Sequence, residues 1–531
     1  MILFLTIFCR NSFRRLEKRM LRLFTCSLCL ILILLQGCSV NPVTGKREIM
    51  IISEQQEMSL GQEQYQPAQQ SQGGLYYLDP ELTFYVRQVG EKLAKVSDRP
   101  DLPYEFVVLN NSVPNAWALP SGKIAINRGL LAKLDDEAQL AAVLGHEIVH
   151  AAARHSAKRM QSNLLISAGV AGLGLALDNQ DYRDILVGGA AMAVAKYGRD
   201  HELESDHYGM QYMAAAGYDT QAAVELQQLF MKLSEGQSQN WLEGLFASHP
   251  PSPERVEENR RTALTLPQSN YRGEDAFMRA TARLRKTVPA YDAYDKGVKA
   301  LKAGDDDKAL QLANQAIKLE SEEAMFYSLR GDIYKKQNKE SAALKEYDKA
   351  VSLNPEYFAH PLKRGLTYKE LGDSAKAAQD LRRANDLLPT SVANLALGDI
   401  EAQSNNSAAA ISHYSAAAEA SGAYGQEARQ KLSRLDLPKN PERYLQIQTL
   451  KDKQGRAFIT YSNQSALEVN NIVVEVALIN ASGWVMKQNT LTLGAAGPGQ
   501  QAKPVFCAIA TEAAQRKDLS LLTRLQSYRL R

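Results

Sequence analysis

A period of 34 residues runs through residues 291–424 and restricts what this part of the chain can fold into. Four residue types recur at that spacing: Ala309, Ala343 and Ala377; Gly331 and Gly365; Tyr334 and Tyr368; Pro355 and Pro389; and, in a fourth copy displaced by one residue, Gly398 and Ala410. Alanine and glycine allow two helices to cross closely, and proline ends each unit. We therefore expect paired helices stacked into a solenoid. Its concave surface binds peptides or protein partners, or its units only pack against the rest of the chain.

A second constraint is an H-E-x-x-H run formed by His146, Glu147 and His150. It lies in a stretch that predicts a helix beginning at the N-cap Asp136, with Gln139 as the partner in a capping box. On a helix, residues four apart share a face, so both imidazoles can point at one metal ion. Glu147 would then lie beside a water on that metal, which is the arrangement of a zinc peptidase.

Zinc catalysis needs a third protein ligand and an open position for water. The charged segment 199–207 supplies candidates, because Glu202 and Asp206 share a face of a predicted helix. Glu202 would complete a site of two histidines and one glutamate, and Asp206 would hydrogen-bond a liganding imidazole and fix its tautomer. We expect Glu204 to be a solvated charge. His201 and His207 are adjacent, but they lie off the face that the two carboxylates share.

A further histidine, His249, stands in a proline-dense loop that runs into a predicted helix. Proline restricts the backbone, so the imidazole would be held in a defined place. Three roles stay open for it. It is a fourth zinc ligand in a resting state, a donor to the oxyanion of a tetrahedral intermediate, or a loop residue that caps the following helix.

Together these motifs resemble the HtpX/Ste24-type zinc metallopeptidases. Residues 114–122 and 127–131 are similar to the segment before that family's metal-binding helix, and residues 249–255 are similar to its His-Pro loop. The 34-residue units resemble tetratricopeptide repeats. The combination is similar to periplasmic members that enhance outer-membrane β-barrel assembly and to their lipoprotein relatives. In those relatives the loop histidine can occupy the open zinc position as an inhibitory switch, and the resemblance implies that role for His249.

The predicted architecture is multidomain. A tether with an N-terminal helix (38–75) precedes a mostly α, zincin-type α+β metallopeptidase domain (76–285). An α-solenoid of tetratricopeptide repeats (290–424) and a small, β-sandwich-like C-terminal domain (440–531) follow.

The predicted site holds one Zn²⁺ on His146, His150 and Glu202. Glu147 acts as the general base and later delivers the proton to the leaving amine. Asp206 orients the ligands.

The first 37 residues predict a lipoprotein signal peptide. The apolar run Leu23–Leu35 is too short to span a bilayer, and the Leu-Gln-Gly-Cys sequence ending at Cys38 resembles a bacterial lipobox. Cleavage would leave Cys38 carrying lipid. Ser39 beside it implies, by the bacterial sorting rule, the periplasmic side of the outer membrane of a Gram-negative bacterium. Met20 is an alternative start to Met1, and an uncleaved transmembrane anchor is the alternative to a signal peptide.

Cysteine usage and charge fit an envelope protein. Of five cysteines, three lie in the leader and Cys38 would carry lipid, so only Cys507 remains and no intrachain disulfide can form in the mature chain. The leader holds six basic residues and one acidic residue, so its removal changes the formal net charge from +3 to −2. That balance gives no indication of nucleic-acid binding.

Local patterns predict further elements. Ser53 opens a helix by a capping box, and Gln62–Gly74 predicts a linker. Residues 104–109 and 122–127 predict strands, and we expect Lys123–Asn127 to be an edge strand that pairs with an extended substrate backbone. The Gly/Ala-rich runs 164–177 and 185–195 predict buried helices or a mobile lid. In the tail, strands are predicted at 456–461, 469–479, 484–493 and 527–530.

These observations predict a zinc-dependent endopeptidase. The resemblance implies that it acts on unfolded or misassembled envelope proteins, with the repeats recruiting clients or the outer-membrane assembly machinery. The rival hypothesis is a latent peptidase that serves mainly as a repeat-based chaperone or assembly factor. The two separate at His249, whose removal raises proteolysis if the peptidase is latent and lowers it if His249 is catalytic. A prenyl-type intramembrane peptidase is disfavoured, because no segment after Cys38 is long enough to span.

Overall fold

The computed structural model describes residues 38–159, 161, 198–234, 249–515 and 519–530. They fall in two compact units, one ending at Ile333 and the other beginning at Tyr334. The predicted signal peptide and the apolar runs 164–177 and 185–195 lie outside the described residues. Each unit is described below by itself.

The first unit begins with a small hairpin and a long helix. Strands β1 (Cys38–Val40) and β2 (Arg47–Ile49) pair antiparallel within the segment that the sequence predicted to be a short tether. Helix α1 (Glu54–Ser71) starts with the predicted Ser53 capping box. The prediction of a linker at Gln62–Gly74 was wrong for residues 62–71, which belong to α1. Buried Tyr65 and Ala68 pack this part of the helix against the sheet described next.

A three-stranded sheet follows helix α2 (Pro80–Ala94). Its order is β3 (Glu105–Leu109), β5 (Lys123–Asn127), β4 (Ala116–Leu119), with β3 parallel and β4 antiparallel to β5. The expectation that Lys123–Asn127 is an edge strand was therefore wrong. Both of its edges are paired, and all five of its residues are buried, so period-two alternation gave no guide to its place.

Helices α4 (Glu137–Ala152) and α5 (Arg199–Ala215) carry the predicted metal-binding residues, after the short α3 (Arg128–Leu131). Asp136 caps α4 as predicted, by accepting a hydrogen bond from the backbone N–H of Gln139. In a capping box the Gln139 side chain would accept a hydrogen bond from the N–H of Asp136. Here it accepts from the N–H of Asp135, one residue earlier. Every residue of α4 is buried, which fixes the helix on all sides.

Two glycines set the crossing of α4 and α5. A Cβ added at Gly209 would lie 2.9 Å from the backbone nitrogen of His146, and one added at Gly145 would lie 3.0 Å from the Gly209 carbonyl oxygen. Both clashes are with backbone, so a methyl group at either position must push the helices apart. This contact brings His146 on one helix level with Glu202 and Asp206 on the other.

Gly209→Ala is expected to destabilise the protein by about 1 kcal/mol, because overpacking of about 1–3 kcal/mol exceeds the gain of about 1 kcal/mol in helix propensity. Metal affinity is expected to fall with it. Thermal unfolding and metal titration check both effects. Gly297→Ala is the matched control, since its added Cβ would meet the flexible end of Leu329 at 3.0 Å. Equal stability of Gly209→Ala and the wild type would contradict the close crossing.

The remaining helices of the first unit are α6 (Gln221–Ser234), α7 (Pro253–Thr265), α8 (Glu274–Ala280), α9 (Ala282–Lys302), α10 (Asp306–Leu319) and most of α11 (Ala324–Lys336). The first repeat packs on the three-stranded sheet through fully buried Glu323. Its carboxylate accepts hydrogen bonds from Asn110, at the end of β3 (2.9 Å), and from Tyr291. The Arg128 guanidinium lies 3.2 Å from the centre of the Tyr291 ring.

The second unit continues the repeats with α12 (Glu340–Leu353), α13 (Ala359–Glu370), α14 (Ser374–Leu387), α15 (Ser391–Gln403), α16 (Ser407–Ala418) and α17 (Ala423–Asp436). The predicted solenoid of paired helices is confirmed. A Cβ added at Gly365 would lie 3.0 Å from Asp380, and one added at Gly398 would lie 2.5 Å from the Tyr414 ring. The recurring small residues are therefore the helix-crossing points that their spacing predicted.

His360 on α13 makes the repeats sensitive to acid. Its ring is 1% exposed, and among the described residues neither ring nitrogen has a hydrogen-bond partner. Burial, aided by the charge of Lys363, lowers its pKa to about 3. The unfolded chain, with a histidine pKa near 6.5, binds more protons than the folded chain between these values, so stability falls as the pH drops below about 6.5.

At pH 5.5 this single group is expected to cost about 1.4 kcal/mol relative to pH 7.5. In His360→Leu that part of the acid loss should disappear. The measurement is the free energy of urea unfolding of the repeats at both pH values, in wild type and variant. An identical pH dependence in the two proteins would show that His360 titrates freely.

The C-terminal region contains two antiparallel three-stranded sheets around one core. The strands are β6 (Leu445–Lys451), β7 (Ala457–Asn463), β8 (Val469–Asn480), β9 (Val485–Leu493), β10 (Val505–Phe506) and β11 (Leu519–Leu530), in the orders β10-β7-β6 and β11-β8-β9. Helix α18 (Ala508–Gln515) also packs on this core. The sandwich-like fold agrees with the prediction, which missed β6, β10 and α18 and began β11 eight residues late. Nowhere in the described ranges does a helix have the length and apolarity that crossing a membrane requires.

Candidate metal centre

Four side chains from three separate segments converge on one point. His146 and His150 come from α4, Glu202 from α5 and His249 from the loop before α7, and one ligand atom of each lies within 4.8 Å of the others. The two Nε2 atoms of His146 and His150 are 3.0 Å apart, and Nδ1 of His249 is 3.3 Å from the first of them. Glu202 Oε1 lies 3.0 Å from His249 Nδ1 and 3.4 Å from His150 Nε2.

The tautomer of His146 shows what this cluster can bind. Its Nδ1 lies 2.8 Å from Asp206 Oδ1, so Nδ1 carries the donated proton and, in the neutral ring, Nε2 turns a lone pair toward the cluster. Burial lowers the pKa of His146, but the hydrogen bond to Asp206 and its charge raise this pKa above its usual value, so a cation bound at Nε2 must displace a proton there. Burial lowers the pKa of His150 well below its usual range, so it is a neutral imidazole with a lone pair to offer. Lone pairs and a carboxylate aimed at one another repel unless a cation lies among them. The donor set therefore fits a divalent metal.

Arg255 is a site residue for which the sequence reasoning had no role. It is 4% exposed and donates to both Asp206 oxygens, at 2.7 Å and 2.8 Å, and to Glu202 Oε2 at 2.8 Å. Burial would raise the pKa of both carboxyls, but this guanidinium helps to hold the pKa of Glu202 well below its usual range and that of Asp206 below it. Both carboxylates thus stay ionised. The one sequence signal for Arg255 was the Glu-Arg pair after the proline-dense loop. That pair contributed to the family resemblance, but nothing in the sequence assigned Arg255 a role of its own.

Glu147 lies beside the cluster without joining it. Its side chain is buried, Oε1 is 3.6 Å from His249 Nε2, and Oε2 accepts no hydrogen bond from the described residues. Burial raises the pKa of Glu147 above its usual value. A carboxylate with one uncommitted oxygen and a raised pKa is suited to accept a proton and release it again.

The structure decides one of the three roles left open for His249. Ser252, not His249, caps α7, by accepting a hydrogen bond from the Arg255 N–H at 3.2 Å. Arg255 also donates to the Pro250 carbonyl at 3.2 Å, so the loop is tied to the residue that holds the carboxylates. The helix-capping role was therefore wrong, and His249 instead belongs to the four-residue cluster that could hold a metal.

The remaining charged candidates have different outcomes. Glu204 is not the solvated charge that was expected, because its Oε1 lies 3.1 Å from His155 Nε2 and accepts from Asn41 at 3.2 Å. His207 lies away from the cluster, within hydrogen-bond distance of Thr262 and Gln211. His201 stacks on His155 with ring centres 4.1 Å apart and is no part of the four-residue group.

An apolar pocket opens beside Glu147 and His146. Its wall comes from α5 and α6, through Met210, Met213, Leu226 and Phe230. Such a pocket suits the apolar side chain of a peptide whose backbone passes the cluster.

Comparison with known sequences identifies two matches to families. Residues 80–263 match peptidase family M48, and residues 294–358 and 362–425 match the tetratricopeptide repeat.

Curated relatives match parts of the chain as well. The chain is 32% identical to the mitochondrial metalloendopeptidase OMA1 of Schizosaccharomyces pombe over 238 residues, which are 44% of this chain and 68% of that one. It is 25% identical to the beta-barrel assembly-enhancing protease of Escherichia coli strain K12 over 338 residues, or 57% and 68% of the two chains. The metalloprotease YcaL of the same organism is 31% identical over 182 residues, or 32% and 68%.

Proposed function

This chain belongs to peptidase family M48 and is a metalloprotease, and from that premise we propose that it is a zinc-dependent endopeptidase of the bacterial envelope, acting on unfolded or misassembled proteins. The observation that carries the proposal is the convergence of His146, His150 and Glu202 on one point, with Glu147 beside them. Two imidazole nitrogens and one carboxylate form a donor set typical of catalytic zinc, whose remaining position takes water or substrate.

His146, His150 and Glu202 would hold the zinc ion. When bound, zinc supplies Lewis acidity, which lowers the pKa of water and polarises a peptide carbonyl. Asp206 accepts a hydrogen bond from His146 Nδ1–H and so keeps Nε2 directed at the point where the ligand atoms converge. Glu147 takes the proton of the attacking water on its uncommitted Oε2 and passes it to the nitrogen of the leaving amine.

The substrate is an extended or unfolded segment. In place of β5 we assign pairing with the substrate backbone to β4 (Ala116–Leu119), a buried strand at one edge of the sheet that pairs with β5 in the described part of the chain. Pairing through the main chain requires little sequence specificity. The apolar pocket beside Glu147 adds a preference for an apolar side chain next to the scissile bond.

The setting of this activity is the outer membrane. The Leu-Gln-Gly-Cys sequence at Cys38 supports cleavage of a signal peptide and lipid attachment on the periplasmic side of that membrane. The repeats bind clients or the outer-membrane assembly machinery, and the similarity to a beta-barrel assembly-enhancing protease supports outer-membrane proteins as the clients.

A second candidate function is a latent peptidase that works mainly as a repeat-based chaperone or assembly factor. The specific observation in its favour is the position of His249, one ligand atom of which lies within 4.8 Å of the ligand atoms of His146, His150 and Glu202. A fourth protein ligand would fill the position that catalysis needs open.

Metal content of the purified full-length chain tests the proposed site without relying on activity. We expect one zinc per chain in the wild type and much less than one in His150→Ala. His207→Ala is the matched control, because it removes a histidine from α5 that lies away from the cluster. A wild-type chain without zinc, or a His150→Ala variant that keeps it, would overturn the site.

A further inference from the structure

His155 is a buried histidine that the proposed mechanism does not use. It follows α4 by three residues and has no exposed surface. Its Nδ1 lies 3.0 Å from Nδ1 of the proposed ligand His150, and its Nε2 lies 3.1 Å from Oε1 of Glu204 on α5. The ring therefore connects a ligand on one helix to a carboxylate on the other.

The backbone after α4 turns so that His155 folds back onto His150. Arg154 adopts φ 61°, the left-handed region that a side chain of this size rarely takes. Its guanidinium is held by Glu57 Oε2 at 2.6 Å and by the Ile52 carbonyl at 2.9 Å, both in or next to α1. The turn that presents His155 is thus fixed by buried contacts rather than by local preference.

The proton positions along this chain of contacts follow from its two ends. A histidine that binds a metal through Nε2 carries its proton on Nδ1, so His150 Nδ1–H donates and His155 Nδ1 accepts. The proton of His155 is then on Nε2, where Glu204 Oε1 accepts it. One proton lies between each pair of atoms, and each donor has an acceptor.

The outer end is fixed by Asn41, in the turn between β1 and β2. Its Oδ1 accepts from the N–H groups of Val43 (2.9 Å) and Thr44 (3.2 Å), so the other end of the amide must be the donor. Nδ2 donates to Glu204 Oε1 at 3.2 Å. Asn41 is 3% exposed, so this donor is part of the buried structure and not of a mobile tail.

We propose that His155 and Glu204, held by Asn41, are positioning residues that set the tautomer and ring orientation of His150. The N-terminal hairpin thereby forms the outermost layer of the metal site. The inference rests on the proposed function, because it requires His150 to be a metal ligand. Outer partners of liganding histidines typically contribute 10- to 100-fold to metal affinity.

The test is zinc affinity of the full-length chain, measured by competition with a chromogenic chelator, together with the visible absorption of the cobalt-substituted protein. His155→Leu is expected to bind zinc about 10- to 100-fold more weakly and to change the cobalt spectrum. His155→Gln should restore most of the affinity, because its amide can accept from His150 and donate to Glu204. His207→Leu is the control and should bind zinc as the wild type does.

Two milder variants keep the test decisive if His155→Leu does not fold. Glu204→Gln and Asn41→Ala should each weaken zinc binding, by about tenfold or less, since they act one or two steps from His150. Wild-type zinc affinity and an unchanged cobalt spectrum in folded variants would overturn the positioning role of His155 and Glu204 alone. A wild-type chain that binds no zinc would overturn the proposed function, and with it the positioning role of His155 and Glu204.

Discussion

Glu147→Gln is expected to lower the rate of cleavage of an unfolded protein by about 10²- to 10⁴-fold while the chain keeps its zinc. The amide has the shape of the carboxylate but cannot accept a proton from water. Glu147 is not among the four converging ligand residues, so its replacement removes no metal ligand. Its Oε2 accepts no hydrogen bond from the described residues, and the change therefore breaks little else.

Two measurements on the same protein samples check this expectation. Zinc content should equal that of the wild type, and cleavage of a permanently unfolded protein should be lost. Glu91→Gln on α2 is the matched control, because it makes the same chemical change at an exposed position. Cleavage by Glu147→Gln at the wild-type rate would remove Glu147 from the role of general base. Loss of zinc together with cleavage would make it a metal ligand instead.

His249→Ala is expected to raise proteolysis about tenfold or more. His249 Nδ1 lies 3.3 Å from His146 Nε2 and 3.0 Å from Glu202 Oε1, so the imidazole is placed as a fourth ligand around the point where the other three converge. A protein closed in this way is active only in the fraction of molecules whose loop has left. Minor states of this kind are typically populated at about 0.1–10%. Removing the imidazole should leave the position open in every molecule.

The opposite outcome has an equally definite meaning. If His249→Ala retains zinc and loses about 10²- to 10³-fold in rate, the imidazole stabilises the oxyanion and the enzyme is not latent. Rates are to be compared at equal zinc content, with His207→Ala as the control for loss of an imidazole. An increase would favour the second candidate function, a latent peptidase that becomes active when a client or partner displaces the loop.

Local sequence was enough to predict the helices and repeats whose formation depends on residues close together in the chain. The H-E-x-x-H spacing predicted that His146 and His150 share one face, and the structure places their Nε2 atoms 3.0 Å apart. Asp136 predicted the start of α4. The 34-residue period predicted paired helices that cross at small residues, because the same small residues recur at the same position in several units.

Sequence patterns failed where a residue's role depends on a distant partner. Lys123–Asn127 is a central strand because β3 and β4 flank it, which composition does not reveal. Residues 62–71 are polar and glutamine-rich, yet Tyr65 and Ala68 keep them helical by packing on the sheet. The C-terminal strands β6 and β10 are likewise held by their pairing with β7.

The sequence by itself thus determined which residues could bind a metal, the helices that carry them and the repeat architecture. Periodicity of side chains along one helix is enough for that inference. Only the tertiary structure decided that Arg255 neutralises Glu202 and Asp206, that His249 faces the ligands, and that Asn41 and Glu204 support His155. These groups lie far apart in sequence, and burial away from water, which no local pattern records, is what makes their pairing obligatory.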